Sequence, residues 1–351
     1  MSRKTTAHDE TKQAGVRSRG AMKAMVQHGY GAPQRVLRLD EVARPAVGDG
    51  DVLIRVRATS VNTPDWIAVA GVPYLLRLKS GLRRPVKPVR GSDVAGVVEA
   101  VGRNVAGIQP GDEVFGSSWD SSMTTQAGTF AEFTVAPASQ LISKPAGLTF
   151  EEAAGSVMSG LTALIAIRDV GRVGPAARVL INGASGGVGT FAVQIAKTLG
   201  ADVTGVCSAR NLEFVRSLGA DQVIDYAQED FTRGRQRYDV ILDNVMNHPP
   251  SATARVLTRD GILIPNSVGN TGGLLAALPR TARAAMMRFG STDVRFVTCV
   301  VNHENLDALA TLLESGDVKV IVERTYALSD AASAVTHMLS HRARGQVVIV
   351  V

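Results

Sequence analysis

The chain has only two cysteines, Cys207 and Cys299, in 351 residues. Two cysteines cannot form a disulfide framework, and no Cys-x-x-Cys or Cys/His cluster with zinc-site spacing is present. A run of about 18 uninterrupted apolar residues is also missing, so we expect no membrane-spanning segment. Because the N-terminus lacks the apolar stretch of a secretory signal, we expect a cytoplasmic protein.

Aromatic residues and excess charge are scarce. Aromatics make up 5% of the chain, whereas single-stranded nucleic acid is bound by aromatics placed among basic residues. The net charge is +6, and residues 1–21 supply +3 of it from five basic and two acidic side chains. We therefore expect neither a nucleic-acid nor a membrane partner.

A second basic cluster lies between Gly71 and Gly91. Its members are Arg77, Lys79, Arg83, Arg84, Lys87 and Arg90. We interpret the cluster as a solvated loop, and the alternative is a surface that receives an anionic substrate or partner.

Hydrophobic periodicity divides the chain into segments. Residues 1–21 show no apolar periodicity and are predicted to be a disordered tail. Residues 22–150 carry short apolar runs interrupted by glycine and proline, which is typical of a mostly antiparallel β domain. Residues 151–302 alternate apolar strands with helical stretches, which predicts a parallel sheet covered on both faces. The fold class is therefore α/β, a doubly wound parallel sheet with a mainly β domain.

Local signals place several individual elements. The sequence Thr149-Phe-Glu-Glu resembles an N-terminal capping box and predicts a helix over Glu151–Val170. In residues 303–351 we expect strands at Lys319–Glu323 and Gln346–Val351, with a helix around Asp330–Ser340 between them.

The strongest functional motif is a glycine-rich turn between a strand, Arg178–Ile181, and a helix, Gly187–Leu199. Gly183 would permit the tight turn, Gly186 would let the backbone approach a pyrophosphate, and Gly189 would let the helix pack closely on the strand. The amides of the first helical turn would hold the phosphates. The predicted phosphate-binding residues are Ser185, Gly186, Gly187 and Val188.

The end of the following strand predicts which dinucleotide is bound. A site selective for NAD places Asp or Glu there to bind the ribose hydroxyls, and this chain has Cys207 instead. Ser208 and Arg210 follow, a hydroxyl and a guanidinium that suit a 2′-phosphate. The sequence therefore favours NADPH over NADH.

These motifs resemble those of the medium-chain dehydrogenase/reductase superfamily, and most closely its zinc-independent quinone oxidoreductase branch. The resemblance runs from Met22 to Val351 and is carried by four motifs in order: Val61-Asn-Thr-Pro-Asp-Trp66, Gly91-Ser-Asp-Val-Ala-Gly-Val-Val-Glu-Ala-Val-Gly102, Gly111-Asp-Glu-Val-Phe115 and the glycine turn. It implies a GroES-like catalytic domain formed by residues 22–150 and 303–351 around a Rossmann domain of residues 151–302, with substrate bound between the two.

The differences from the zinc alcohol dehydrogenases indicate the chemistry. Asn62 stands at their first cysteine ligand, Ser92 at their histidine ligand, and their four-cysteine structural lobe is missing. A catalytic zinc needs about three Cys, His or carboxylate ligands. The resemblance therefore implies no metal, and hydride transfer from NADPH to an electron-poor acceptor such as a quinone, enone or enal.

Further site residues follow from family position. Asn62 is the best candidate for a polar contact near the nicotinamide or the substrate carbonyl, or else it stabilises a turn. Tyr74 is a candidate proton donor, and Asp65 is expected to be structural. The remaining cofactor contacts would be Thr162 and Val300 near the nicotinamide, Tyr226 near the adenosine phosphate, and Ser267 and Gly269 along the ribose crevice. Cys299 is interpreted as an inert core thiol.

Two other functions stay open at this point. An enoyl-thioester reductase of fatty-acid or polyketide type would share the scaffold and NADPH, with the basic cluster meeting a carrier protein or coenzyme A. A non-catalytic NADPH-binding sensor is the second alternative. We also expect a homodimer that extends its sheet through an edge strand at Phe296–Val301.

Overall fold

The computed structural model describes residues 20–72, 74, 77–119, 127–267, 282–287, 290, 292–340 and 342–351. Gly269 and nearly all of the predicted disordered tail lie outside the described residues.

The first part of the chain forms two β-sheets. A two-stranded hairpin pairs β1 with β2, and a seven-stranded sheet has the order β14-β15-β3-β4-β5-β7, with β6 also paired to β3. Their bounds are β1 Ala21–Gln27, β2 Leu37–Ala43, β3 Asp51–Ser60, β4 Asp93–Val101, β5 Glu113–Ser117, β6 Phe133–Pro137, β7 Leu141–Ser143, β14 Val322–Ala327 and β15 Gln346–Val350. Because β15 pairs antiparallel with β3, the last segment of the chain completes the sheet of the first segment.

The middle of the chain forms a six-stranded parallel sheet with the order β10-β9-β8-β11-β12-β13. The bounds are β8 Arg178–Asn182, β9 Asp202–Cys207, β10 Gln222–Asp225, β11 Tyr238–Asp243, β12 Leu257–Pro265 and β13 Asp293–Val294. This is the doubly wound order. The strands β9 and β10 are added on one side of β8, and the fourth strand, β11, is added on its other side, so the strand order reverses between β8 and β11. The predicted GroES-like plus Rossmann fold is confirmed.

Helices cover these sheets and join them. Their bounds are α1 Pro33–Val36, α2 Thr63–Ala70, α3 Arg77–Ser80, α4 Phe150–Leu164, α5 Gly187–Thr198, α6 Leu212–Ser217, α7 Pro250–Thr253, α8 His303–Glu314 and α9 Ala331–Leu339, and residues 282–287 are also helical.

The central helix α4 begins as the sequence predicts. Thr149 accepts a hydrogen bond from the Glu152 amide, and Glu152 accepts one from the Thr149 amide. After Leu164 the helix continues as a π-helical turn, Ile165–Val170. By length and composition this combined stretch could cross a membrane, but 78% of its apolar window is buried inside the protein. It contacts β3 and β4 of one sheet and α5 beside the other, so it forms the core between them.

Two strand predictions were wrong in detail. The segment Phe296–Val301 is not a strand, and the edge strand β13 is the shorter Asp293–Val294. In the segment Phe296–Val301 the alternate residues Val297, Cys299 and Val301 pack against the core, but the segment pairs with no strand among the described residues. The strand expected at Lys319–Glu323 is β14, which starts later because its register follows β15.

Candidate active site

The glycine turn after β8 has the backbone that a bound dinucleotide requires. Gly183 has φ +79°, in the left-handed region that favours glycine. A Cβ on Gly189 would collide with the Gly183 carbonyl, so this glycine lets α5 start directly against the turn. A Cβ on Gly186 would meet only the Gly183 oxygen at 3.5 Å. The space beside Gly186, just before the first turn of α5, is therefore open enough for a phosphate to approach the backbone.

Polar side chains meet at the carboxyl ends of β8 and β11, where the sheet order reverses. Asn182 donates to the Asp243 carboxylate at 2.7 Å, and that carboxylate also accepts from the Met246 amide at 2.8 Å. Asn244, beside Gly183, has a buried side-chain amide nitrogen with no hydrogen-bond partner among the described residues. Since ligands of doubly wound sheets bind at this reversal, a ribose hydroxyl or phosphate oxygen fits that orphaned donor.

The predicted adenosine-end residues do converge. Ser208 and Arg210 follow β9, and the Tyr226 amide donates to the Cys207 carbonyl at 3.2 Å, which places Tyr226 beside them. The Arg210 guanidinium donates to the Arg342 carbonyl at 2.8 Å, and Arg344 donates back to the Arg210 carbonyl at 3.0 Å. Two cationic side chains, Arg210 and Arg344, thus lie near the end of β9.

The last segment of the chain also touches the glycine turn. The Gly345 amide donates to the Ser185 carbonyl at 3.0 Å, and the Gln346 side chain donates to the Gly187 carbonyl at 3.0 Å. Asn211 donates to the Ser185 hydroxyl at 3.0 Å, and its own side-chain oxygen is buried with no partner in the described part of the chain. The glycine turn is therefore held in place by the last segment of the chain, and the partly buried Val188 packs against the core.

Asn62 lies in a buried hydrogen-bonded cluster at the carboxyl end of β3. Its side-chain nitrogen donates to the Asp93 carboxylate at 2.8 Å and to the Ser60 hydroxyl at 2.9 Å, while Ser60 donates to Asp93 at 2.6 Å. Ser92 donates to the other Asp93 oxygen at 3.3 Å. We call Ser60, Asn62, Ser92 and Asp93 the Asn62 cluster. Because both amide hydrogens of Asn62 are used inside it, Asn62 can offer a ligand only its oxygen.

Burial perturbs two carboxylates here. It raises the pKa of Asp93 to about 6, although hydrogen bonds from Ser60, Met158 and Asn62 oppose the rise. Burial, with a smaller contribution from the charge of Asp93, raises the pKa of Asp65 to about 7 against hydrogen bonds from the Asn62 and Gly91 amides. Asp65 accepts those bonds at 2.8 and 3.2 Å, so it ties the start of α2 to β4.

The Asn62 cluster is linked to the predicted nicotinamide residues through α4. The Met158 amide donates to Asp93 at 3.1 Å, and the Met158 carbonyl lies 3.9 Å from the Cys299 sulfur. The Cys299 thiol hydrogen-bonds to Thr162, and burial raises its pKa to about 12, which keeps it protonated. Next to it, the Val300 carbonyl accepts from Asn305 at 3.1 Å.

The structure does not bring the two predicted catalytic residues together. Asn62 caps the start of α2, whereas Tyr74 follows its other end, and a helix of eight residues is about 12 Å long. Tyr74 is 64% exposed, and the Arg77 guanidinium lies 4.7 Å from its ring centre. Nothing in this arrangement favours Tyr74 as the proton donor.

The solvated-loop interpretation of the basic cluster is wrong for two of its residues. Arg77 stacks on Tyr30 at 4.3 Å, and Arg90 is half-buried near Asp65, where burial lowers its pKa.

The residues present do not fit a catalytic zinc. Asn62 and Ser92 are neutral, and both donate hydrogen bonds to Asp93. Asp93 is therefore the one residue of the cluster of a type that zinc prefers as a ligand. Within the described ranges, no three His, Cys, Asp or Glu side chains form a group that could hold a metal ion.

Sequence reasoning missed several residues of this site. Asn244 and Asn211 carry the unpartnered buried atoms, and Asp225, paired in register with Cys207, is the carboxylate at the end of β10. The signal for Asp225 was its place at the end of the neighbouring parallel strand. Ser267 follows β12 in the described part of the chain.

Known proteins match almost the whole chain. Family models match as an alcohol dehydrogenase GroES-like domain at residues 48–146 and as a zinc-binding dehydrogenase at residues 218–349. The chloroplastic quinone-oxidoreductase QR1 of Triphysaria versicolor is 31% identical over 345 residues, covering 93% of this chain and 98% of that protein. The mitochondrial NAD(P)H oxidoreductase RTN4IP1 of Mus musculus is 32% identical over 355 residues, covering 93% and 89%.

Solved structures match at the same extent. The crystal structure of Escherichia coli quinone oxidoreductase complexed with NADPH has a TM-score of 0.78 and 26% identity, covering 94% of this chain and 100% of that one. The backbone similarity therefore extends over both the mainly β part and the parallel sheet.

Proposed function

Because the chain belongs to the medium-chain dehydrogenase/reductase superfamily, in its quinone oxidoreductase-like branch, we propose that its cofactor is NADPH and its acceptor a quinone, enone or enal. That it is an NAD(P)H-dependent oxidoreductase follows from the family. The proposal adds the cofactor preference, the class of acceptor and the independence from zinc. The Asn62 cluster is the observation that carries it, since these side chains satisfy one another where a metal would need free ligands.

The residues at the carboxyl edge of the parallel sheet support a nicotinamide dinucleotide. The open face of Gly186 and the start of α5 suit the pyrophosphate, and the orphaned amide of Asn244 suits a ribose hydroxyl. Thr162 and Val300 lie next to Cys299 and would contact the nicotinamide end of the cofactor. When bound, the cofactor would supply the hydride.

The charges near β9 support NADPH over NADH. Arg210 is exposed and hydrogen-bonded to the segment that carries Arg342 and Arg344, and Ser208 adds a hydroxyl. A 2′-phosphate carries more negative charge than a ribose hydroxyl and matches guanidinium groups. Asp225 is the opposing feature, because a carboxylate suits a ribose diol.

The site favours an acceptor that is already electron-poor. The described side chains of the Asn62 cluster are one carboxylate and neutral groups that donate to it, so they do not polarise the oxygen of a simple alcohol or ketone. The protein instead orients the reactants and excludes water, since every member of the cluster is buried. The proton that completes the reduction would come from water or a hydroxyl outside the cluster.

A panel assay tests this proposal. NADPH oxidation is followed with a simple quinone, an α,β-unsaturated aldehyde and a crotonyl thioester, each with and without a zinc chelator. We expect turnover with a quinone or the aldehyde, unchanged by the chelator. Preference for the thioester would favour an enoyl-thioester reductase, loss of turnover with chelator would contradict zinc independence, and tight NADPH binding with no oxidation would favour a sensor.

A further inference from the structure

Exposed large apolar side chains are concentrated in one short segment. Among the described residues, eight such side chains are exposed, and four of them fall between residues 74 and 86. Leu78, Leu82 and Val86 are 68%, 67% and 77% exposed. A soluble surface scatters such side chains singly, so a cluster of them indicates a contact surface.

Basic side chains alternate with these apolar ones. Arg83, Arg84 and Lys87 are exposed, and no salt bridge is found for them within the part of the chain that the structure describes. The sequence between Gly71 and Gly91 holds six basic and no acidic residues. We call Leu78, Leu82, Arg83, Arg84, Val86 and Lys87 the basic–apolar patch.

The backbone of the patch is anchored, and this turns its side chains outward. The Val86 amide donates to the Ser80 carbonyl at 2.8 Å, and the Gly81 amide donates to the Arg77 carbonyl at 2.9 Å. The Tyr30 hydroxyl donates to the Gly81 carbonyl at 2.7 Å. Because the turn is held by its backbone, exposure of the apolar side chains is a feature of the folded protein.

We propose that the basic–apolar patch docks the protein reversibly on an anionic lipid surface. Lipid phosphates match the exposed cations, and the boundary between headgroups and acyl chains receives the exposed Leu and Val side chains. The three apolar side chains are 67–77% exposed and lie among basic residues in a segment without acidic ones, which favours an anionic lipid surface over a folded acidic protein. This differs from our expectation of no membrane partner and needs no spanning segment.

Docking would present the active site to molecules dissolved in the bilayer. The patch follows α2, which begins directly after Asn62, and it leads through Arg90 to Gly91, whose amide donates to Asp65. An apolar quinone is concentrated in lipid, so a docked protein would meet it there. The docking proposal itself does not depend on the reaction.

Vesicle co-sedimentation of the full chain tests the proposal. The vesicles are phosphatidylcholine alone or equal parts of phosphatidylcholine and phosphatidylglycerol. We expect binding to the anionic vesicles only, weakened by high salt. Each basic residue near an anionic surface strengthens binding about fivefold, so Arg83→Gln/Arg84→Gln/Lys87→Gln should weaken it about a hundredfold.

Matched controls separate the patch from general charge. Arg233→Gln/Arg235→Gln/Arg237→Gln removes the same charge from exposed arginines elsewhere and should bind like the wild type. Leu82→Ser should weaken binding, whereas Met286→Ser, at an equally exposed side chain (68%), should not. Residues 1–21 remain in every variant, so their charge does not change the comparison.

Three results would overturn the proposal. They are absence of binding to anionic vesicles, equal losses in the two triple variants, and a change in oligomeric state of the patch variant in sedimentation, which would make the patch a contact between copies. NADPH oxidation with a water-soluble quinone should be the same in both triple variants, so failure of docking is distinguishable from failure of the proposed function.

Discussion

Replacing Arg210 tests the cofactor preference most directly. The Arg210 guanidinium stands at the end of β9 and is hydrogen-bonded to the Arg342 carbonyl. In Arg210→Ala the predicted partner of the 2′-phosphate is lost, while the glycine turn is untouched. We therefore expect weaker binding of NADPH and unchanged binding of NADH.

The size of the effect follows from the two contacts that Arg210 exchanges. A hydrogen bond to a charged group contributes about 1.5–3 kcal/mol, and the bond to the Arg342 carbonyl that must be given up contributes about 0.5–1.5 kcal/mol. The difference of about 1.5 kcal/mol corresponds to a roughly tenfold rise in the NADPH dissociation constant. Because Arg210 is exposed, the effect should shrink as salt is added.

The assay is titration of each reduced cofactor by fluorescence, at low and high salt. Arg235→Ala is the matched control, since this exposed arginine precedes β11 at the opposite, amino-terminal edge of the parallel sheet. An equal rise in the dissociation constants of NADPH and NADH would refute phosphate recognition by Arg210.

Three further predictions concern the glycine turn, the buried carboxylates and the assembly. The Cβ of Gly189→Ala would collide with the Gly183 carbonyl, so this variant should lose about 1–3 kcal/mol of unfolding free energy and bind dinucleotide poorly. Gly174→Ala is the control, because open space surrounds this glycine, and it should match the wild type in thermal unfolding and cofactor titration. Since the folded-state pKa of Asp65 is raised from 3.8 to about 7, its stabilising contribution is present below pH 4 and lost as pH rises towards 7. The free energy of urea unfolding should therefore decline less over this pH range in Asp65→Asn than in the wild type. Parallel declines in the two proteins would contradict the raised pKa. A homodimer stays a prediction, and sedimentation at twice the mass of one chain would support it, whereas a single-chain mass at all concentrations would reject it.

The fold was largely predictable because its signals are local. The capping box at Thr149, the turn at Gly183 and the strand–helix alternation each act over a few residues, and all three are found in the structure. Phe296–Val301 shows the limit of such reasoning, since its alternation records which side chains are buried and contains no information about a pairing partner.

The candidate site was less predictable because its contacts are long-range. The sequence indicates Asn62 as a polar residue, but only the fold shows that Ser60 and Asp93 take both of its amide hydrogens. The orphaned atoms of Asn244 and Asn211 likewise depend on what surrounds them.

The pairing of β15 with β3 affects the order in which the protein can be assembled. Ser60 lies opposite Val348, so the Ala58–Ser60 end of β3, beyond the part paired with β6, lacks its β15 neighbour until the far end of the chain has been synthesised. An unpaired edge is prone to wrong pairing, and contacts between distant residues form slowly. The parallel sheet between them, whose strands pair with near neighbours in sequence, can fold first and bring the two ends together. Chaperone dependence should therefore be greatest for the β domain, although it is synthesised first.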